Sequence, residues 1–244
     1  MHPNITDPEQ FREDVQTICD LYQQAPALAG EGIQIHSCDE MTGIPAREDK
    51  HPVLPMMPGH VERKEFETIR QGTSGLIASR NIVTGKVEAP LIQPTRTEAD
   101  FAQHIAAVVN LQPDAPHIFV LDNLNTHQSE ALVRFVIKHD HLDISPKDLG
   151  NKGMSGILFS QETRKAFLKD LRHTVRFVYT PKHCSWLNQM ECWFSILVRR
   201  LLNKRASFAS VAALEQRIRQ FIDYYNEHLA KPFKWTFNGK LLKI

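Results

Sequence analysis

The chain has 244 residues, 42% of them hydrophobic, which is enough to bury a core and excludes a disordered chain. Its 29 Lys and Arg nearly balance its 28 Asp and Glu, so a uniformly basic nucleic-acid binder is excluded. The balance hides a gradient: residues 1–60 hold 3 basic and 10 acidic side chains, residues 61–180 hold 15 and 14, and residues 181–244 hold 11 and 4. A polyanion partner therefore stays open for the basic end.

A helix is expected over 7–24, with Asp7 as N-cap, Pro8 in the first helical position and Phe11, Val15, Ile18 and Leu21 at helical spacing. The stretch APALAGEG should end it. IQIHSCD (33–39) reads as a strand with Ile33, Ile35, Ser37 and Asp39 on one side. Segment 44–72, rich in Pro, His and charge, reads as an irregular connection. Residues 74–92 read as two short strands turning at Thr84-Gly85.

TEADFAQHIAAVVN (97–110) is a helix pattern capped by Thr97. HIFVLDN (117–123) is a continuous apolar run, as in a strand covered on both faces. SEALVRFVIKH (129–139) is a helix with Ser129 as cap. Residues 140–172 are polar, with a helical pattern in QETRKAFLKDLR. VRFVYTP (175–181) is a second buried strand. Residues 185–203 form the clearest helix, with Ser185 as N-cap and Trp186, Trp193, Phe194 and Val198 on its apolar face. A last helix spans 210–229. Three strands followed by alternating β and α units predict an α/β fold, a mixed sheet with helices on both faces.

No apolar run approaches the roughly 18 residues needed to span a membrane, so no membrane partner is expected. The polar start MHPNITDPEQ carries no secretory signal. Cys19, Cys38, Cys184 and Cys192 form no CxxC pair and read as free thiols of a reducing cytoplasm. The 12 histidines show no paired ligand spacing.

Three acids sit where a fold exposes functional groups. Asp39 ends the first strand, Asp122 ends the buried strand, and Glu191 lies at the edge of the aromatic helix face. Singly, each has a plain reading: a turn cap, a strand-to-loop pair with Asn123, and a solvated helix residue. Together they point to chemistry. An acid inside WLNQMECWF is costly to bury unless something compensates it. Clustered carboxylates repel one another and invite Mg²⁺ or Mn²⁺ rather than zinc. Two such ions about 3.5–4 Å apart can activate an attacking oxygen and stabilise the leaving oxygen of a phosphodiester.

The blocks IQIHSCDEMTGI (33–44), FVLDNLNTHQSEAL (119–132) and FVYTPKHCSWLNQMECWFSIL (177–197) carry a resemblance to the DDE transposases of bacterial insertion sequences, mariner-like group. FIDYYNEHLAKPFKWTF (221–237) matches that group's C-terminal region, and the likeness runs from about residue 7 onward. The resemblance implies a ribonuclease-H-like catalytic fold built on a five-stranded mixed sheet. It makes Asp39, Asp122 and Glu191 the catalytic acids and the ligands of two Mg²⁺ ions, with Mn²⁺ as substitute. It implies cleavage at transposon ends and strand transfer into target DNA, by a homodimer or larger assembly, in the bacterial cytoplasm at the nucleoid. Residues 1–30 become a helical lead-in and 31–244 the catalytic domain, with an insertion near 140–172 and C-terminal helices over 185–229.

Two departures stand out. The Asp122-to-Glu191 spacing exceeds that of the commonest mariner-type members, and the extra length lies near 140–172. Full-length members also carry N-terminal helix-turn-helix modules that read the transposon ends. About 30 residues precede the first strand, too few for a pair of them. The expectation is a catalytic domain alone, from a truncated copy or paired with a separate helix-turn-helix polypeptide.

His127 and His183 lie near the acids and are candidates for orienting water, contacting phosphate or moving a proton; a loop histidine bonded to backbone is the alternative. Asn123 and Asn188 are candidates for orienting the carboxylates, against a reading as polar filler. Arg199, Arg200, Lys204 and Arg205, with Lys182, are candidates for DNA phosphates, although basic residues also favour helix C-termini. Two other functions remain open: a nuclease of the same fold without strand transfer, and a catalytically silent DNA-binding remnant. Joined products in a DNA assay separate the first from a transposase, and metal titration separates the second.

Overall fold

The computed structural model describes residues 7–63, 66–203 and 206–239. Helix α1 (Pro8–Gly30) begins as its sequence dictates: the Asp7 carboxylate accepts from the Glu9 and Gln10 amides, and Pro8 needs no donor. It then runs on through Pro26, past the expected stop. Pro26 costs one backbone bond. The flanking alanines are strong helix formers, and Ala25 and Leu28 pack into the core, so the helix survives.

Strands β1 (Gln34–Asp49), β2 (Thr68–Asn81) and β3 (Val87–Gln93) form an antiparallel meander. Among the described residues, segment 44–72 is an irregular connection only in its middle, 50–67. β1 continues to Asp49, which pairs with Thr68, so both ends of the segment lie in a long hairpin. Alternation explains this: Ile44 and Ala46 bury while their neighbours stay polar. The register shift between Met41 and Ile44 takes in Gly43, and that between Ala46 and Arg47 falls beside Gly72, both glycines of positive φ. The β2–β3 turn is the expected one. The Asn81 side chain accepts from the Val83 and Thr84 amides, and Gly85 has φ +74°. A Cβ at Gly85 would lie 2.2 Å from the Lys231 carbonyl oxygen.

Strand β4 (His117–Leu121) has all five residues buried and pairs in parallel with β1 and with β5 (Val175–Tyr179). The sheet order is β3-β2-β1-β4-β5. On one face, Phe119, Leu121 and Phe177 pack against α2 (Glu98–Val109), α3 (Glu130–His139) and α5 (Gln161–Leu168). On the other, Ile35, Ile118 and Val120 pack against α1. Ile44, Leu76 and Ala78 on that face pack against α6 (Gln189–Arg200) and α7 (Val211–His228). Each such apolar side chain contributes about 1.5–3 kcal/mol by leaving water. The insertion over 140–172 holds the short α4 (Pro146–Leu149), a set of tight turns, and α5.

The expected helix over 185–203 is split. Ser185–Leu187 form a 3-10 turn and α6 starts at Gln189 with Asn188, not Ser185, as its N-cap. Trp186 is thereby left 46% exposed, edge-on to Phe237, and Val198 is 42% exposed, so neither belongs to the core. All four cysteines are free, and only Cys192 is exposed. No described helix is long and apolar enough to cross a membrane.

Candidate active site

Strand register brings two of the acids level. Ser37 in β1 pairs in parallel with Val120 in β4, so the next outward positions are Asp39 and Asp122 on adjacent strands. The third acid arrives through a network on the α1 and α6 side of the sheet, where Ser37 and Asp39 both point. The Asn188 Nδ2 donates to Asp39 Oδ2 at 3.1 Å and to the Cys38 carbonyl at 2.9 Å. Its Oδ1 accepts from the Ser37 hydroxyl and from the Met190 amide, capping α6. Glu191 follows in the first turn of that helix. One asparagine thus ties the first acid to the helix that carries the last, and it is fully buried.

The three carboxylates have different surroundings. Asp39 is 7% exposed, and its pKa is pushed up to about 7, mainly by burial. The Glu40 amide, bonded to Asp39 Oδ1 at 2.8 Å, pulls it down, while the charges of Asp122 and Glu191 push it up. Glu191 is raised as well, by burial first and then by Asp122. The acids therefore feel one another through space. Among the described residues no three His, Cys, Asp or Glu side chains close into a ready metal cage.

Asp122 is held differently. His127 Nδ1 lies 2.6 Å from Asp122 Oδ1, and its Nε2 lies 3.7 Å from Glu40 Oε1. Burial opposes charge on His127, but the bonds to Asp122 and Glu40 outweigh it and push its pKa up to about 9. Burial likewise works against the Asp122 anion, yet the His127 contact and the Leu124 amide hold its pKa below the usual carboxylate value. The His127 side chain is 0% exposed, so it cannot reach a phosphate; it is a buried cation behind an acid. Glu40 was not foreseen. It follows Asp39 and so points to the opposite sheet face, where its side chain is 2% exposed and meets His127 and, at 3.5 Å, Arg96.

The other candidates separate. Asn123 does not bond Asp122. Its Nδ2 donates to the Thr180 carbonyl, and its Oδ1 accepts from Lys165 Nζ at 2.5 Å and Gln128 Nε2 at 3.2 Å. His183 and Lys182 are exposed, and His183 has φ +64°. Arg199 and Arg200 line a cleft of about 640 Å³ with His228 and Lys231, between the ends of α6 and α7. Lys204 and Arg205 lie outside the described residues.

The profile of the DDE superfamily endonucleases matches residues 34–215, a span that includes all three acids. No curated protein matches significantly. The fold is similar to solved structures of the Mos1 mariner transposase. The paired-end complex with the left transposon end has a TM-score of 0.52 at 13% identity, covering 96% of this chain and 60% of that one. The Mos1 mariner paired-end complex with Mn has a TM-score of 0.52 at 12% identity, covering 100% and 66%. The Mos1 strand transfer complex has a TM-score of 0.51 at 14% identity, covering 100% and 65%. The chain thus spans about three fifths to two thirds of the length of these proteins, and at such identity the likeness speaks for the fold: a ribonuclease-H-like mixed sheet. With three quarters of its length matched, this chain belongs to the DDE superfamily endonucleases.

Proposed function

We propose that this chain is the catalytic domain of a transposase, cutting DNA at transposon ends and joining the freed 3′ end to target DNA. The observation that carries the reading is the placement of Asp39 and Asp122 at the same level of neighbouring strands, with Asn188 tying Asp39 to the helix whose first turn carries Glu191. An acid raised first by burial and then by the charges of two other acids is a poor structural choice and a good cation site.

The donor set fits divalent metal. Asp39, Asp122 and Glu191 offer only oxygen, which suits Mg²⁺ with Mn²⁺ as substitute, two ions in all. The mutual repulsion of these acids is what such charge would relieve. When bound, divalent cations sharpen the attacking oxygen and neutralise the leaving oxygen of the phosphodiester. The chain's own residues set the stage. Asn188 fixes the rotamer of Asp39, and His127 keeps Asp122 ionised and aimed. Both act at one remove from the reacting atoms.

DNA is the partner this chemistry requires. Lys182, on the stretch that leads into α6, and the Arg199–Arg200 cleft, at the far end of α6 from Glu191, supply positive charge for phosphates. Joining two transposon ends calls for a homodimer or larger assembly, with end reading supplied by helix-turn-helix modules, on a separate polypeptide if not on this one. The compartment is the bacterial cytoplasm, at the nucleoid. Incubation of a labelled DNA with Mn²⁺ should give nicks and joined products, both abolished in Asp39→Asn. Nicks without joined products would reduce the reading to a plain nuclease. Equal activity in Asp39→Asn would remove the site.

A further inference from the structure

We propose that Lys165, delivered by the insertion, contacts a phosphate of the DNA strand lying against the catalytic acids. This rests on the site reading above and deepens it. Helix α5 leans on the loop that follows Asp122 through two consecutive residues, and they are used differently. Arg164 is buried and consumed by structure: its Nε donates to the Gln128 carbonyl at 2.6 Å and one terminal nitrogen donates to the Leu158 carbonyl at 3.1 Å. Lys165 is half-buried, and among the described residues its hydrogen bond goes to the neutral amide oxygen of Asn123, the neighbour of Asp122.

The charge of Lys165 is left over. Among the described residues no carboxylate forms an ion pair with it; Asp14 and Glu162 act on it only from a distance. Its ammonium lies 5.0 Å from the centre of the Tyr179 ring, at the end of β5. Burial, then the like charges of Lys169 and Lys182, lower its pKa. A half-buried ammonium beside two exposed like charges, bonded only to a neutral amide, is a cation that an anion would stabilise. A phosphodiester strand crossing the acids would pair with it. A lysine suits this task as a mobile point charge with three donors, of which Asn123 takes one.

The rival is a purely structural lysine that props Asn123. The two roles split cleanly in Lys165→Gln, which keeps an N–H for Asn123 but carries no charge. Binding of the full chain to a fluorescein-labelled DNA duplex is measured across a salt series without divalent metal. A phosphate contact predicts that Lys165→Gln and Lys165→Met both bind about tenfold more weakly at low salt and lose about one unit of the salt slope. Lys165→Arg should restore both, with melting temperatures unchanged. If Lys165→Gln keeps the wild-type slope and affinity, the proposal is overturned. Should either neutral variant fail to fold, the other and the Arg rescue still decide it. Metal-dependent nicking by the wild type, lost in Asp39→Asn, is followed in parallel. If that nicking persists while the slope is unmoved, only the Lys165 assignment falls; if the wild type neither binds nor nicks DNA, both fall.

Discussion

Asp39 and Asp122 stand at the same level of the sheet, Asp39 within β1 and not at its expected end, Asp122 just past the end of β4, yet their environments are opposites. Asp39 is enclosed, faces two other acids and is pushed toward neutrality near pH 7. Asp122 is more open and leans on a buried imidazolium that keeps it ionised. The first acid is stabilised only when positive charge arrives; the second carries its positive charge within the fold. A site built this way has one preset anion and one waiting for its cation.

The sharpest way to break this comparison is to remove the waiting acid. Asp39→Asn should cost at least about three orders of magnitude in Mn²⁺-dependent DNA cleavage, since several kcal/mol of charge stabilisation disappear. Quantified nicking of labelled DNA checks it. A loss under tenfold would mean that Asp39 holds no metal.

Removing the preset cation should instead be felt in the fold. His127→Ala removes a fully buried ring and its charge from between Asp122 and Glu40, leaving Glu40 with Arg96 and the Thr126 hydroxyl, and the expected loss is about 3–5 kcal/mol of stability, read as a lowered urea midpoint. A variant as stable as wild type would show that the Asp122–His127–Glu40 line is dispensable.

Metal should act through Asp39 as well. At a hundredfold excess over its dissociation constant, Mn²⁺ should stabilise the wild type by about 2.7 kcal/mol and do less for Asp39→Asn. Thermal melts with and without metal test this.

The pH dependence of the metal-free protein separates the two acids further. Asp39 has a folded pKa above its unfolded value, so folding suffers as it ionises: the cost is absent below pH 3.8 and complete above about 7. His127 has a raised pKa too, but as a base. Its contribution is whole below pH 6.5 and fades as pH passes about 9. Metal-free wild type should therefore lose stability from pH 4 to 7, and again toward 9. Asp39→Asn should flatten only the first fall. The smallest effect belongs to Arg96, whose side chain is 53% exposed beside Glu40. Arg96→Ala should cost under about 1 kcal/mol, within the spread of chemical melts.

What was legible in the sequence was local. Thr97, Ser129 and Asp7 announce their helices because a cap needs only the next three residues. The apolar run 117–121 announces a strand covered on both faces, and Asp122 stands where that strand ends, whereas Asp39 lies inside a strand that runs on to Asp49. What was not legible depends on distant partners. Pro45 and the charges of 47–49 hide a strand that exists because β2 pairs with it. Glu40 matters only because His127, 87 positions later, points into the same side of the sheet. Lys165 has no motif; it becomes visible when α5 sets it on Asn123.

The parallel pairing of β1 with β4 also sets the order in which activity can appear during synthesis. The β1–β2–β3 meander closes from contacts near in sequence. The site needs Asp39 beside Asp122 and then α6, whose Asn188 lies 149 residues beyond Asp39. Such non-local closures form late in folding. A ribosome releasing this chain therefore holds a half-built sheet until nearly the whole domain has emerged, and a fragment stopped before the cap of α6 lacks both Glu191 and the asparagine that holds Asp39.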